Sequence, residues 1–124
     1  MVDKRDLKSC AERRVGSNPT TPNYFVACSK SIHPKYKHAS LIFKDGDMIA
    51  VANNTIKRHA EIAVLEITKL LGYNHVTLVS VRVTKDGKLA NAKPCRKCMA
   101  YINYGPIHII SILYSNAKGV IVKL

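Results

Sequence analysis

Two short segments of the chain carry residue types that are typical of metal chemistry. The first is His59-Ala60-Glu61, and the second is Pro94-Cys95-Arg96-Lys97-Cys98. A catalytic zinc ion takes three protein ligands and leaves one position open for water. His59, Cys95 and Cys98 supply three ligands, and Glu61 is left to move protons between that water and a substrate. The sequence therefore predicts a zinc ion with a carboxylate beside it.

Each segment alone has other interpretations. His-Ala-Glu occurs in many helices, and Pro-Cys-x-x-Cys also suits half of a structural zinc site, a redox pair or two buried thiols. A structural site needs a fourth Cys or His, but Cys10 and Cys28 lie far upstream, each without a nearby cysteine. A redox pair would not account for His59 and Glu61. Together, the two segments favour the catalytic zinc site.

Hydrophobic periodicity and turn residues predict the order αββαβαββ for the secondary structure. The two segments His59–Glu61 and Pro94–Cys98, called the chemical segments below, each fall at the start of a helix. The predicted elements are a helix from Thr21-Pro22 to about Ile32, strands His38–Lys44 and Met48–Asn53 around a turn at Asp45-Gly46-Asp47, a helix from His59 to Gly72, a strand Val76–Thr84, a helix Pro94–Tyr104, and strands Ile107–Ser115 and Val120–Leu124.

The placement of the cysteines at a helix start has chemical consequences. The partial positive charge of a helix N-terminus favours the thiolate form of Cys95 and Cys98. Their spacing of one helical turn also puts both side chains on one face. At the other end of the chain, about four residues separate the last two strands, whereas a parallel pair needs a crossover of a dozen or more. The last pair is therefore predicted to be antiparallel.

Length and composition predict one domain with a modest core. The chain has 124 residues, of which 47% are hydrophobic. We expect residues 1–20 to form a polar, basic arm and residues 21–124 to form the domain. Cys28 is expected to be a small core residue. No apolar run is long enough for a membrane span, and the N-terminus lacks the apolar stretch of a signal peptide. The sequence thus predicts a cytoplasmic protein without a membrane partner.

Positive charge is the second prominent feature of the sequence. Twenty Lys and Arg residues against eight Asp and Glu residues give a net charge of +12, which attracts polyanions. A basic background unrelated to function is the alternative explanation. Five cations surround the two chemical segments and favour a phosphate-bearing substrate: Lys57, Arg58, Lys93, Arg96 and Lys97.

The order H-x-E, then P-C-x-x-C, is the signature of zinc-dependent nucleobase deaminases. The chain resembles the cytidine deaminase superfamily over roughly residues 21–124. The resemblance implies a three-layer α/β fold, with a five-stranded mixed sheet covered by helices. It also implies Zn²⁺ as cofactor and Glu61 as the proton shuttle in the conversion of cytosine to uracil. The antiparallel last pair resembles the free-nucleoside branch, whose members complete their pockets across subunits, so a homodimer or homotetramer is expected.

The same resemblance suggests substrate contacts. Asn53 corresponds to an Asn that contacts the sugar, with Asn54 as second candidate, although a turn-forming Asn pair is an equal alternative. A backbone group near Ala60 is expected to recognise the base edge. The cations Lys57, Arg58 and Arg96 are the candidates for binding phosphate. Thr55 stands where nucleoside deaminases carry a Glu that binds the sugar hydroxyls.

Three functions therefore stay open on the sequence alone. The first is deamination of cytosine in a small nucleoside or nucleotide. The second is deamination of cytosine or adenine in single-stranded RNA or DNA, with the arm and the cations as binding surface. The third is an inactive zinc-stabilised binding domain. Glu61 argues against the third, and six Tyr, two Phe and no Trp argue weakly against the second.

Overall fold

The computed structural model describes residues 23–33 and 37–124. The predicted arm (residues 1–20) and the predicted helix start at Thr21-Pro22 lie outside these ranges. The described elements are α1 (Tyr24–Ser29), β1 (Lys37–Lys44), β2 (Asp47–Asn53), α2 (Ala60–Leu71), β3 (Val76–Val83), β4 (Leu89–Ala90), α3 (Arg96–Tyr104), β5 (Ile109–Ser115) and β6 (Ile121–Lys123).

The strands form one mixed sheet in the order β2-β1-β3-β5-β6. Strand β1 is antiparallel to β2 and β3, β3 is parallel to β5, and β5 is antiparallel to β6. The predicted α/β class with a mixed sheet is confirmed. The antiparallel final pair is confirmed as well, because the chain between β5 and β6 closes a tight turn in which Gly119 N–H donates to Asn116 O at 3.0 Å.

The short strand β4 is not part of the sequence-based prediction. It pairs with Arg82 and Val83, beyond the part of β3 that pairs with β5. The β3–β4 hairpin therefore turns the chain back along β3 before the second chemical segment begins. As a result, the backbone oxygen of Ala92 lies 3.0 Å from the Ser80 hydroxyl in β3.

Side chains alternate between the two faces of the sheet, as the pleat requires. Ile42 and Leu78 belong to a core that packs against α2 and α3. Leu41 and Val79 belong to a second core that packs against α1, where Cys28 is fully buried, as predicted. Every second residue of β1 and β3 therefore faces the two helices that carry the chemical segments.

Helix α2 begins and ends where the sequence indicates. His59 precedes it in extended backbone, and Gly72 ends it with a φ of 82°. The Gly72 N–H donates to Lys69 O at 3.0 Å, which satisfies a carbonyl that the helix leaves open. The prediction of a helix between His59 and Gly72 is confirmed, and it puts the first chemical segment at a helix N-terminus.

The other helix boundaries differ from the prediction by a few residues. Helix α1 ends at Ser29 rather than about Ile32. Helix α3 begins at Arg96 rather than Pro94, because Cys95 has extended backbone and is the residue before the first helical turn. The longest helix in residues 23–33 and 37–124 has 12 residues, and none of the helices there is long and apolar enough to cross a membrane.

Candidate metal centre and its pocket

The three predicted ligands meet at the start of two helices. His59 directly precedes α2, Cys95 directly precedes α3, and Cys98 lies in the first turn of α3. Their ligand atoms all lie within 4.8 Å of one another. His59 Nδ1 is 3.1 Å from Cys98 Sγ and 3.5 Å from Cys95 Sγ. The structure thus brings the residues of two distant segments into one group that can hold a metal ion.

These distances suit a tetrahedral ion with nitrogen and sulfur ligands. Zinc binds nitrogen at about 2.0 Å and sulfur at about 2.3 Å, which puts the two ligands about 3.5 Å apart. Cys98 is fully buried, whereas His59 and Cys95 are exposed. The group therefore has a closed side in the protein and an open side toward solvent.

Glu61 lies beside this group with its two oxygens in different surroundings. The residue is 2% exposed. Oε2 accepts a hydrogen bond from Ser80 Oγ at 3.2 Å and lies 3.9 Å from His38 Nε2. Oε1 is buried and has no hydrogen-bond partner among the described residues. A buried carboxylate oxygen without a donor is costly, so this atom suits a partner that the chain does not supply, such as a water or a substrate.

Cys98 lies in surroundings that oppose ionisation of its thiol. Burial raises the pKa of the Cys98 thiol far above its usual range, and the nearby Glu61 charge and Cys95 raise it further. Burial thus opposes the thiolate that the helix N-terminus favours at Cys98, and ionisation of this thiol stays a prediction. A bound cation would have to displace this proton, which couples metal binding to proton release.

A pocket of about 370 Å³ opens over the metal group. Its wall includes His59, Cys95 and Glu61 but not the buried Cys98, so two of the three predicted ligands and the predicted proton shuttle face one space. This volume is in the range of small-molecule binding sites. The remaining lining residues are His33, His38, Asn54, Thr55, Ile56, Arg82, Asn91, Ala92 and Lys93.

The predicted sugar and base contacts have separate positions. Asn53 does not line the pocket, and its Nδ2 donates to Ala27 O at 2.8 Å and to His38 O at 3.1 Å. Asn54 does line the pocket, and its Oδ1 accepts from the hydroxyl of Ser31 at 2.6 Å. Ala60 is fully buried and does not line the pocket.

The predicted phosphate contacts lie outside the pocket. Lys57, Arg58 and Arg96 are all exposed, and none of them lines it. Arg58 instead forms an ion pair with Glu66 on the outer side of α2. The permanent cations that line the pocket are Arg82 and Lys93, beside the histidines His33 and His38, and Lys93 belongs to the five cations noted in the sequence.

Sequence reasoning did not single out His38, Ser80 or Arg82 as site residues. All three lie on the α2–α3 face of β1 and β3, and Arg82 is the cross-strand neighbour of His38. A signal was present, because Ser80 and Arg82 are polar residues at alternate positions of a strand that otherwise consists of Val, Thr and Leu. It indicates polar groups on one face of the strand, but it does not indicate which segment that face contacts.

Neither a protein-family model nor a curated protein matches this chain.

Proposed function

We propose that this chain is a zinc-dependent hydrolase that deaminates cytosine in a nucleoside or nucleotide. The observation that carries the proposal is the convergence of His59, Cys95 and Cys98 with Glu61, whose Oε1 is buried without a partner among the described residues. Three ligands leave one coordination position for a reactant. A structural zinc site would use four ligands and would need no unpaired carboxylate.

The donor set supports zinc as the metal. One imidazole and two thiolates suit zinc, whereas magnesium, calcium and manganese take oxygen ligands. Bound zinc would supply a water whose pKa is lowered toward neutrality, which is a strong nucleophile at ordinary pH.

The chain itself would supply the proton transfers through Glu61. Its Oε1 would accept the proton that the attacking water loses as the water oxygen bonds to C4 of the base. Glu61 would return that proton to the ring nitrogen and would move a second proton to the leaving amino group. The C4–N bond then breaks, ammonia leaves, and the base is uracil. Water and cytosine are consumed, and no oxidant or other co-reactant is needed.

Three features support membership of the cytidine deaminase superfamily. The H-x-E segment precedes P-C-x-x-C in the sequence. Each segment begins a helix on the same face of a mixed sheet. The last two strands are antiparallel, which is the arrangement of the free-nucleoside branch.

Charge in the pocket supports a substrate that carries phosphate. Glu61 is the only acidic residue among the described residues that line it, whereas Arg82 and Lys93 are cations. Zinc with two thiolates and a neutral imidazole adds no net charge. A positive pocket attracts anions, so a nucleotide fits this charge better than an uncharged nucleoside does.

Deamination of a single-stranded polynucleotide is the second candidate. It is favoured by exposed cations just outside the pocket, since Lys57 follows the lining residue Ile56 and Arg96 follows the lining residue Cys95. Binding to a strand would fall steeply with salt. With a slope of about −0.7 per neutralised phosphate, four contacts would cost about fiftyfold in affinity between roughly 50 and 200 mM salt.

The test is ammonia release from cytidine, CMP, dCMP and a cytosine-containing oligonucleotide, measured side by side with zinc-loaded protein. The proposal expects release from at least one small substrate, with CMP or dCMP preferred to cytidine. Release only from the oligonucleotide, with a steep salt dependence, would favour the second candidate. No release from any of the four would contradict the deaminase assignment.

A further inference from the structure

We propose that Ser80 is a positioning residue that holds Glu61 through Oε2, and that His38 sets the direction in which the Ser80 hydroxyl donates its proton. This inference rests on the proposed function, because it gives Glu61 a role in proton transfer. Neither Ser80 nor His38 belongs to the two segments that carry the metal ligands.

The Ser80 hydroxyl lies at the centre of three polar atoms. His38 Nε2 is 2.7 Å from Ser80 Oγ, Ala92 O is 3.0 Å away and Glu61 Oε2 is 3.2 Å away. Ser80 is fully buried and Glu61 is 2% exposed, so bulk water does not compete for these groups. An unpaired polar atom is costly in such buried surroundings, so each proton there is expected to have an acceptor.

The Ser80 hydroxyl has one proton to donate. Of its three neighbours, Ala92 O can only accept a proton, and so can Glu61 Oε2 when the carboxylate is ionised. If His38 Nε2 accepted the Ser80 proton, neither Glu61 Oε2 nor Ala92 O would receive one from Ser80. Glu61 Oε1 has no partner among the described residues, so the carboxylate would then lose the hydrogen bond that Ser80 donates to it. The hydrogen-bond network therefore assigns the proton of His38 to Nε2, from which it donates to Ser80 Oγ.

The surroundings of His38 agree with a neutral ring. Burial lowers its pKa, an effect that the nearby Glu61 charge opposes, while His59 and Arg82 lower it further. A neutral ring carries one N–H, and the hydrogen-bond network assigns it to Nε2. His38 Nε2 thus donates to Ser80 Oγ, and Ser80 Oγ donates to Glu61 Oε2.

This series of hydrogen bonds determines which oxygen of the Glu61 carboxylate transfers protons. His38 and Ser80 lie on the neighbouring strands β1 and β3, so the hydrogen bond that holds Oε2 comes from the sheet rather than from helix α2. With Oε2 held, Oε1 is left for the attacking water and the base. Ser80 also contacts Ala92 O, three residues before the ligand Cys95. The single Ser80 proton is therefore shared between Ala92 O and Glu61 Oε2, and the hydroxyl links the acid–base residue to the segment that leads to the metal group.

The first part of the test compares two buried serines in the zinc-loaded protein. Ser40 is the cross-strand neighbour of Ser80, is equally buried, and its hydroxyl has no partner among the described residues. Ser80→Ala should lower kcat about 10- to 100-fold, because a misplaced proton shuttle loses its alignment. KM and zinc content should stay within about twofold. Ser40→Ala, which removes the same atom nearby, should leave kcat unchanged.

Conservative variants separate positioning from general structural support. Ser80→Thr keeps the hydroxyl and should recover most of the lost kcat. His38→Gln keeps an N–H donor at similar reach and should retain more activity than His38→Leu, which has none. Unchanged kcat in both Ser80→Ala and His38→Leu would overturn the proposal.

A double-mutant cycle measured by Tm tests the hydrogen bond between Ser80 and Glu61 even if the protein deaminates none of the substrates. In zinc-loaded protein, the effect of Ser80→Ala on Tm should be clearly smaller when Glu61 is already Ala, because the hydrogen bond is already absent. The effect of Ser40→Ala should be the same in both backgrounds. Additive effects for Ser80 and Glu61 would refute the hydrogen bond itself. Absence of activity together with a coupled pair would refute only the deaminase assignment.

Discussion

The two oxygens of the Glu61 carboxylate define the chemistry of the candidate site at the scale of single residues. Oε2 is held by Ser80, and Oε1 is buried without a partner among the described residues. A carboxylate retained only for stability would be expected to have donors on both oxygens, because an unpaired buried oxygen destabilises the fold. A proton shuttle needs one oxygen to be fixed and the other to have no partner in the protein, so that it can accept a proton from a reactant.

Replacement of Glu61 by glutamine tests that role with little change in shape. The amide cannot accept and return a proton as the carboxylate does, so Glu61→Gln should lower kcat by about 10²–10⁴. Zinc per chain and Tm should change little, since Glu61 is not among the three grouped ligands. Ammonia release and metal analysis of the same sample check this, and loss of zinc together with activity would make Glu61 a metal ligand instead.

The pocket cations allow a matched comparison of two charges. Lys93 lines the pocket, whereas Arg58 is paired with Glu66 outside it. Lys93→Gln should raise KM for CMP about tenfold, the effect of losing one charge-assisted contact of about 1.4 kcal/mol, and should leave KM for cytidine unchanged. Arg58→Gln should change neither. Equal effects of Lys93→Gln on both substrates would exclude a phosphate contact at this residue.

At the scale of elements, the local sequence predicts most of the framework that positions the ligands. The Asp45-Gly46 turn has positive φ at both residues, as a tight hairpin requires, and Gly72 ends α2 in a left-handed conformation. Each of these features depends on a few neighbouring residues. For that reason they can be predicted from local patterns, and so can the placement of both ligand segments at helix starts.

The convergence of His38, Ser80 and Glu61 could not be predicted in the same way. It depends on β1 pairing with β3 in a register that sets Ser40 opposite Ser80, and on α2 packing over that face. Alternation along a strand predicts which residues share a face, but not which strand is the neighbour. Strand β4 was missed because it has two residues and therefore no period to detect.

Asn53 links two elements, and its replacement separates the structural role from a sugar contact. Its side chain donates to Ala27 O in α1 and to His38 O in β1. Asn53→Ala leaves both acceptors without this donor, so we expect a loss of about 1–3 kcal/mol in the free energy of unfolding, with KM unchanged. The exposed Asn103 is a control whose replacement by Ala should have little effect on stability. A higher KM with unchanged stability would instead assign Asn53 to the sugar.

At the scale of the whole molecule, we expect a homodimer or homotetramer. We expect subunit contacts from the helix around Tyr101–Tyr104 and the apolar strand Ile107–Leu113. Tyr104 on α3 is 88% exposed and Ile110 on β5 is 62% exposed. Tyr104→Glu combined with Ile110→Glu should yield monomers by light scattering. Leu70→Glu, at an equally exposed site on α2, should leave the oligomer intact. A native protein that is monomeric at high micromolar concentration would contradict the expectation.

We infer that deamination requires one zinc ion per chain, held by His59, Cys95 and Cys98. The most direct test measures bound zinc and ammonia release from CMP and cytidine in the same samples of native protein, Cys98→Ala and Cys28→Ala. Cys28 is also buried but lies in the core beneath α1, away from the metal group. We predict about one zinc per chain and turnover in the native protein and in Cys28→Ala, and neither in Cys98→Ala. Turnover in Cys98→Ala, or zinc-loaded native protein that releases no ammonia from either substrate, would contradict a zinc-dependent deaminase.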